Sequence, residues 1–138
     1  MADITASTAL RDFIAGHLQD SYYFATLHTA TTGITAASVY AATGLSEVPT
    51  DTIYTLGGVE VTSTEVDGVI DTGNAVWTTA DGTSLTAEAC CLWINDTQTI
   101  TGAKLVSMKE ATVTGSGAGG SLTATFVNPI TIPTGVVA

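Results

Sequence analysis

Few residues in this 138-residue chain are equipped for chemistry, and their spacing limits what they can do. It has two histidines, His17 and His28, and two cysteines, Cys90 and Cys91. An imidazole acts in catalysis with a nucleophile, a carboxylate or a metal beside it. Neither histidine lies in such a motif, because no Gly-x-Ser-x-Gly, His-Glu-x-x-His or Walker pattern occurs. His17 falls at the end of a helical pattern, where a cation favours the helix dipole. The adjacent cysteines point to opposite faces if they lie on a strand, so they cannot readily bond to each other. With no third cysteine, no Cys-x-x-Cys and no nearby His, they read as small buried residues of a protein matured in a reducing compartment. Glu65 and Asp67 sit on turn-rich chain, and paired acids alone do not make a glycosidase. The run 115–120, Gly-Ser-Gly-Ala-Gly-Gly, shares only its glycines with a phosphate loop. It lacks the Gly-Lys-Ser/Thr ending and the helix that must follow. The expectation is a protein that is not an enzyme, with no catalytic residues, no cofactor and no metal site.

Charge narrows the partners. Three Lys+Arg (Arg11, Lys104, Lys109) stand against 13 Asp+Glu, a net charge of −10. Nucleic acid is excluded, since phosphate binding needs a cationic stripe. The acids serve solubility or docking onto a basic protein surface. They form no Asp-x-Asp-x-Asp ladder of the kind that binds calcium. No run approaches the roughly 18 apolar residues a membrane helix needs. The start, Met-Ala-Asp-Ile-Thr, lacks the basic region and long apolar core of a secretory signal.

The elements that must position these residues read as strands. Only 12% of residues are charged, and threonine supplies almost one residue in five. Threonine is β-branched and suits the wet face of a strand. In 85–94, Leu85, Ala87 and Ala89 alternate with Thr86 and Glu88, which is a strand with one wet face. From Cys90 to Ile94 both faces turn apolar, so this stretch belongs at the centre of a sheet. Residues 21–28 form a second well-covered strand, with Tyr23, Ala25 and Leu27 on one side and Tyr22, Phe24, Thr26 and His28 on the other. Further strands are expected within 53–61, broken by Gly57-Gly58, and at 104–114 and 122–127. A hairpin of 66–71 with 75–79 turns through Thr72-Gly73-Asn74. Trp77 is its core anchor, and Tyr22, Tyr23 and Trp93 are also read as core. Residues 36–42 form one or two helical turns. The substantial helix spans 4 to about 18, capped by Thr5 or Ser7, with Leu10, Phe13, Ile14 and Leu18 on one stripe. That stripe either packs on its own sheet or serves as an arm for a neighbouring subunit. The apolar tail, with Ile130, Ile132, Val136 and Val137, packs along the domain or augments a neighbour's sheet edge. Together these give an all-β protein, an antiparallel β-sandwich (jelly-roll-like or a small barrel) with one N-terminal helix. Residues 1–20 are the helix or arm, and residues 21–138 are the β domain with its extended tail.

One pattern has a likeness elsewhere. Leu45-Ser-Glu-Val48, Ile53-Tyr-Thr-Leu-Gly-Gly58, Val76-Trp77, Leu85-Thr-Ala-Glu-Ala and Leu92-Trp-Ile-Asn-Asp96 follow one another in the chain. This order resembles a group of small structural proteins of tailed bacteriophages, over residues 21 to 127. Where that group often carries Arg in the central strand, this chain has Glu88. The resemblance implies a virion protein that acts by binding, with a capsid decoration or cement protein as the first form. Its partner would be the major capsid protein or another virion protein. It would assemble as a homo-oligomer, a trimer by preference, and localise to the virion after synthesis in the host cytoplasm. A tail or fibre component is the alternative within the same class, and a carbohydrate-binding surface module the alternative outside it. The expected contact residues are Leu10, Phe13, Ile14, Leu18, Ile130, Ile132, Val136 and Val137.

Overall fold

The structure, a computed structural model, describes residues 4–5, 8–41, 43–50, 54–78, 84–116, 121–127, 129–132 and 136–137. In chain order these form β1 (Ile4–Thr5), α1 (Thr8–Gln19), β2 (Tyr22–His28), β3 (Val59–Val61) and β4 (Ser63–Val66). They continue as β5 (Val69–Thr72), β6 (Ala75–Thr78), β7 (Ser84–Asn95), β8 (Lys104–Ser116), β9 (Ser121–Ala124), β10 (Ile130–Thr131) and β11 (Val136–Val137). The protein is predominantly β, with antiparallel strand pairs and one short helix.

β7 is the centre. It pairs with β2 on one side and β8 on the other, in a four-stranded sheet ordered β3-β2-β7-β8. The expected alternation holds along it: Ala87, Ala89 and the run from Cys90 to Trp93 are buried, while Thr86 and Glu88 are exposed. Because successive strand residues point to opposite faces, Cys90 and Leu92 enter one hydrophobic cluster and Cys91 and Trp93 another. β2 does the same, with Tyr23, Ala25 and Leu27 in the first cluster and Phe24 in the second. The sheet is therefore covered on both faces. β8 departs from regular pairing twice: Val106 is extra opposite Leu92/Trp93, and the register shifts again between Ala87 and Ala89.

Three smaller sheets complete the described chain. β10, β5 and β4 form one, β6 and β9 another, and β1 with β11 the third. The hairpin differs from expectation. β4 turns into β5 through Asp67-Gly68, both at positive φ (52° and 80°), and β6 pairs with β9. Asp-Gly is the favoured two-residue hairpin turn, a stronger signal than the three-residue Thr72-Gly73-Asn74 connection. The helix also differs. Ile4 and Thr5 are strand, paired with Val137 and Val136, so α1 begins at Thr8. Residues 36–41 are not helical; Val39 bridges Lys104, and Tyr40 exchanges backbone bonds with Gly102 and Ala103. The rest of that expected turn, Ala42, lies outside the described residues, as do residues 51–53 and 117–120. At the diglycine, Gly58 sits at φ +64 with its backbone against the Ala25 carbonyl, so β3 closes on β2 only without a side chain there.

Leu92 and Thr72 test this packing. Leu92 is fully buried in the central strand, so Leu92→Ala should cost about 2–5 kcal/mol of stability in urea unfolding. The Thr72 hydroxyl is buried without a hydrogen-bond partner among the described residues. Thr72→Val keeps the shape and removes the stranded group, so the same measurement should show a gain of about 1 kcal/mol.

Candidate functional site

Three of the chemistry-bearing side chains, His28, Cys90 and Cys91, are buried in the fold. His28 is fully buried at the end of β2. Its Nδ1 lies 2.8 Å from the Leu45 carbonyl, which only accepts, so Nδ1 carries the proton and donates. In the neutral ring Nε2 then accepts, and its partner is the Thr26 hydroxyl at 2.6 Å. That hydroxyl oxygen accepts in turn from Trp93 Nε1 at 2.8 Å. A directed chain results, Trp93 to Thr26 to His28 to Leu45. It ties β7 and β2 to the segment over the second cluster. Tyr40 packs edge-on against Trp93 with ring centroids 5.6 Å apart. Burial pushes His28 below its ordinary pKa, against upward pulls from the Leu45 bond and the Glu47 charge.

Glu47 organises the neighbouring edge. Its carboxylate accepts from Tyr54 Oη (2.5 Å), Gly57 N–H (2.7 Å) and Tyr40 Oη (2.6 Å). Tyr54 Oη also accepts from Leu27 N–H, and Val48 N–H donates to Leu27 O. The edge of β2 is thereby completed where β3 stops. Tyr54 belongs to the first cluster and Tyr40 to the second, so one carboxylate joins the two faces. With three donors on it, Glu47 is a clamp, not a base. Glu47, Tyr54, Gly57 and Gly58 are also the Glu-Val and Tyr-x-x-Gly-Gly residues of the sequence pattern, and they meet in one cluster.

The remaining candidates are dispersed. Cys90 and Cys91 are buried free thiols on opposite faces, pushed up by burial to about 11 and about 12, which makes poor nucleophiles. Glu65 caps its own hairpin by accepting from Gly68 N–H, while Asp67 lies 3.9 Å from Arg11. His17 is exposed in the last turn of α1. Among the described residues no group of three or more His, Cys, Asp and Glu side chains is placed to hold a metal, and no helix is long and apolar enough to cross a membrane.

What remains is surface. α1 packs on β4 and β5, but not through its most apolar stripe. Ala15 is fully buried, Leu18 packs against the first cluster, and the Arg11 stem lies over Gly68. Residues 11, 15 and 18 share one helical face. Phe13 is 77% exposed, Leu10 50% and Ile14 39%, so these three form an outward apolar stripe. Arg11, on the face toward the domain, is held between Asp12 at 2.8 Å and Asp67 at 3.9 Å. The tail goes the other way. Ile130 pairs with Ile70, Ile132 N–H donates to Gly68 O, and both isoleucines pack against the first cluster. Val136 and Val137 pair along the backbone with Thr5 and Ile4 of the same chain. Of the expected contact residues, the structure groups Leu10, Phe13 and Ile14 on the surface and uses Leu18, Ile130 and Ile132 internally. Their helical spacing was readable; which side of it would face the domain was not. Compared with known proteins, the chain matches no family model, no curated protein and no solved structure.

The buried network sets a pH profile. His28 is depressed, so as pH falls below its ordinary value of 6.5 the unfolded chain takes up a proton that the folded chain resists, and stability falls. Tyr23 is pushed up to about 12 by burial, and Tyr54 and Tyr40 are raised by burial and by the Glu47 bond. Unfolded tyrosines ionise near 10, so stability should also fall above that pH. The buried thiols are raised from 9.0 in the same way, so the alkaline loss begins there, and urea midpoints measured across pH should plateau between about 6.5 and 9. A flat profile below 6.5 would remove His28 from the account.

Proposed function

We propose that this protein is a structural component of a tailed-phage virion that works by binding, and that its first form is a capsid decoration or cement protein. In this reading the sheets stack as a jelly-roll-like sandwich and the helix is its docking element. The observation that carries the proposal is the outward stripe of α1. A phenylalanine that is 77% exposed beside Leu10 and Ile14, on a helix already anchored through another face, is apolar surface without a structural use in its own domain. Aromatic anchors of this kind supply much of the energy of protein interfaces. The net charge of −10 favours a basic patch on the partner, taken here as the major capsid protein. The directed bonds of His28 and Glu47 and the inert thiols fit a protein selected for rigidity and not for turnover. The site of action is then the virion, with nucleic acid and membrane playing no part.

Co-sedimentation with capsids that lack this protein tests the proposal. Saturable pelleting at a fixed ratio to the major capsid protein is the expected result. Phe13→Asp should weaken pelleting by roughly 30-fold, the loss of an interface anchor of about 2 kcal/mol. Its urea midpoint should hardly move, because an exposed substitution changes stability by only about 0.5 kcal/mol. Binding to isolated tails and not to capsids would replace the decoration reading with a tail component. Loss of folding in Phe13→Asp would make the stripe part of the core.

A further inference from the structure

A second surface lies on β8. β8 is the outer strand of the four-stranded sheet, and its first residues already have a partner beyond it: Val39 bridges Lys104, and Leu105 N–H donates to the Ser38 carbonyl. The segment at 38–40 thus begins a fifth strand and then turns away. From 106 to 110 no backbone hydrogen bond is made on the outer edge among the described residues. Two shallow depressions flank this stretch. One, of about 350 Å³, lies between residues 105–108 and residues 34–36; the other, of about 190 Å³, lies between residues 107–109 and Thr125, Phe126, Val127 and Pro129. Ile34 belongs to the cluster on one face of the sheet and Phe126 to the cluster on the other. The open edge therefore has an apolar wall on each face, where the alternating side chains of an added strand would rest.

Charge selects the strand. Two of the chain's three cations, Lys104 and Lys109, are exposed on β8 in a molecule of net charge −10. Among the described residues Lys109 Nζ donates to the Thr125 carbonyl at a long 3.4 Å. Lysines on an edge deter indiscriminate pairing, and by the same token they admit a strand that brings the opposite sign. We infer that the outer edge of β8 at 106–110 is a strand-addition site for an extended segment of a partner protein, apolar at alternate positions and carrying a carboxylate opposite Lys109. Backbone bonds give such a contact its affinity, the flanking depressions its side-chain preference, and Lys109 its sign.

The test uses the full chain and two capped hexapeptides of alternating threonine and valine, one with a central glutamate and its twin with lysine there. Backbone amide NMR follows the titration. The glutamate peptide should bind saturably, with shifts concentrated at 34–36, 105–110 and 125–127. Lys109→Glu should weaken that peptide by roughly tenfold and reverse the preference toward the lysine twin, with an unchanged melting temperature. A reversal of preference is not something a merely structural lysine would produce. Equal binding of the two peptides, no binding of either at millimolar concentration, or shifts centred on α1 would each overturn the inference. Concentration-dependent shifts of the same amides without peptide would assign the edge to a second copy of this chain and overturn the choice of partner.

Discussion

Every described element is arranged around one constraint: the central strand β7 must be kept dry on both faces. Cys90 and Leu92 need one hydrophobic cluster, Cys91 and Trp93 another, and both sets are almost completely buried. Burying both faces of a strand also buries its polar neighbours. The indole of Trp93, the hydroxyl of Thr26 and the imidazole of His28 cannot reach water, so each must be answered by the next. The chain ends on the Leu45 carbonyl, which fixes where the covering segment sits. Glu47 repeats the solution at the edge of β2, gathering two tyrosine hydroxyls and a glycine amide. Partial satisfaction would be worse than none, because a stranded polar group in the core forfeits its full hydration.

This arrangement shapes the functional reading. Among the described residues the His28 imidazole and the Glu47 carboxylate are committed to hydrogen bonds within the fold, and the thiols are buried apart. The clusters are complete without Leu10 and Phe13. α1 is anchored by Ala15 and Leu18, with Arg11 covering Gly68, while Phe13 on its outward side is 77% exposed. The tail, in contrast, is consumed by its own domain through β10 and β11.

The central strand was legible because its pattern is local: alternation in 85–89, then apolar residues on both sides. The burial of Trp77, Trp93 and Tyr23 followed from the same periodicity, and so did the split of the two cysteines. Partnerships between distant segments were not legible. Nothing near Ala75 says that it pairs with Ala124, and the Thr72-Gly73-Asn74 turn competed with the better Asp67-Gly68 hairpin. The helix stripe shows the limit most clearly. Hydrophobic spacing identified Leu10, Phe13, Ile14 and Leu18 as one face, but a small alanine and an arginine stem suit the close approach to β4 and β5 better than a phenylalanine. The Glu47 cluster was not legible as a cluster, because Glu47 and Gly57 are joined by a bond across ten positions.

Hydroxyl-radical footprinting of Phe13 tests the central claim most directly, comparing the purified protein with the protein on intact virions. The account predicts strong labelling of Phe13 in the free protein and strong protection on the particle, with Trp93 protected in both. Phe13 already protected in the free protein would mean that the helix packs through it. Phe13 equally labelled on the particle would mean that this face meets no partner there.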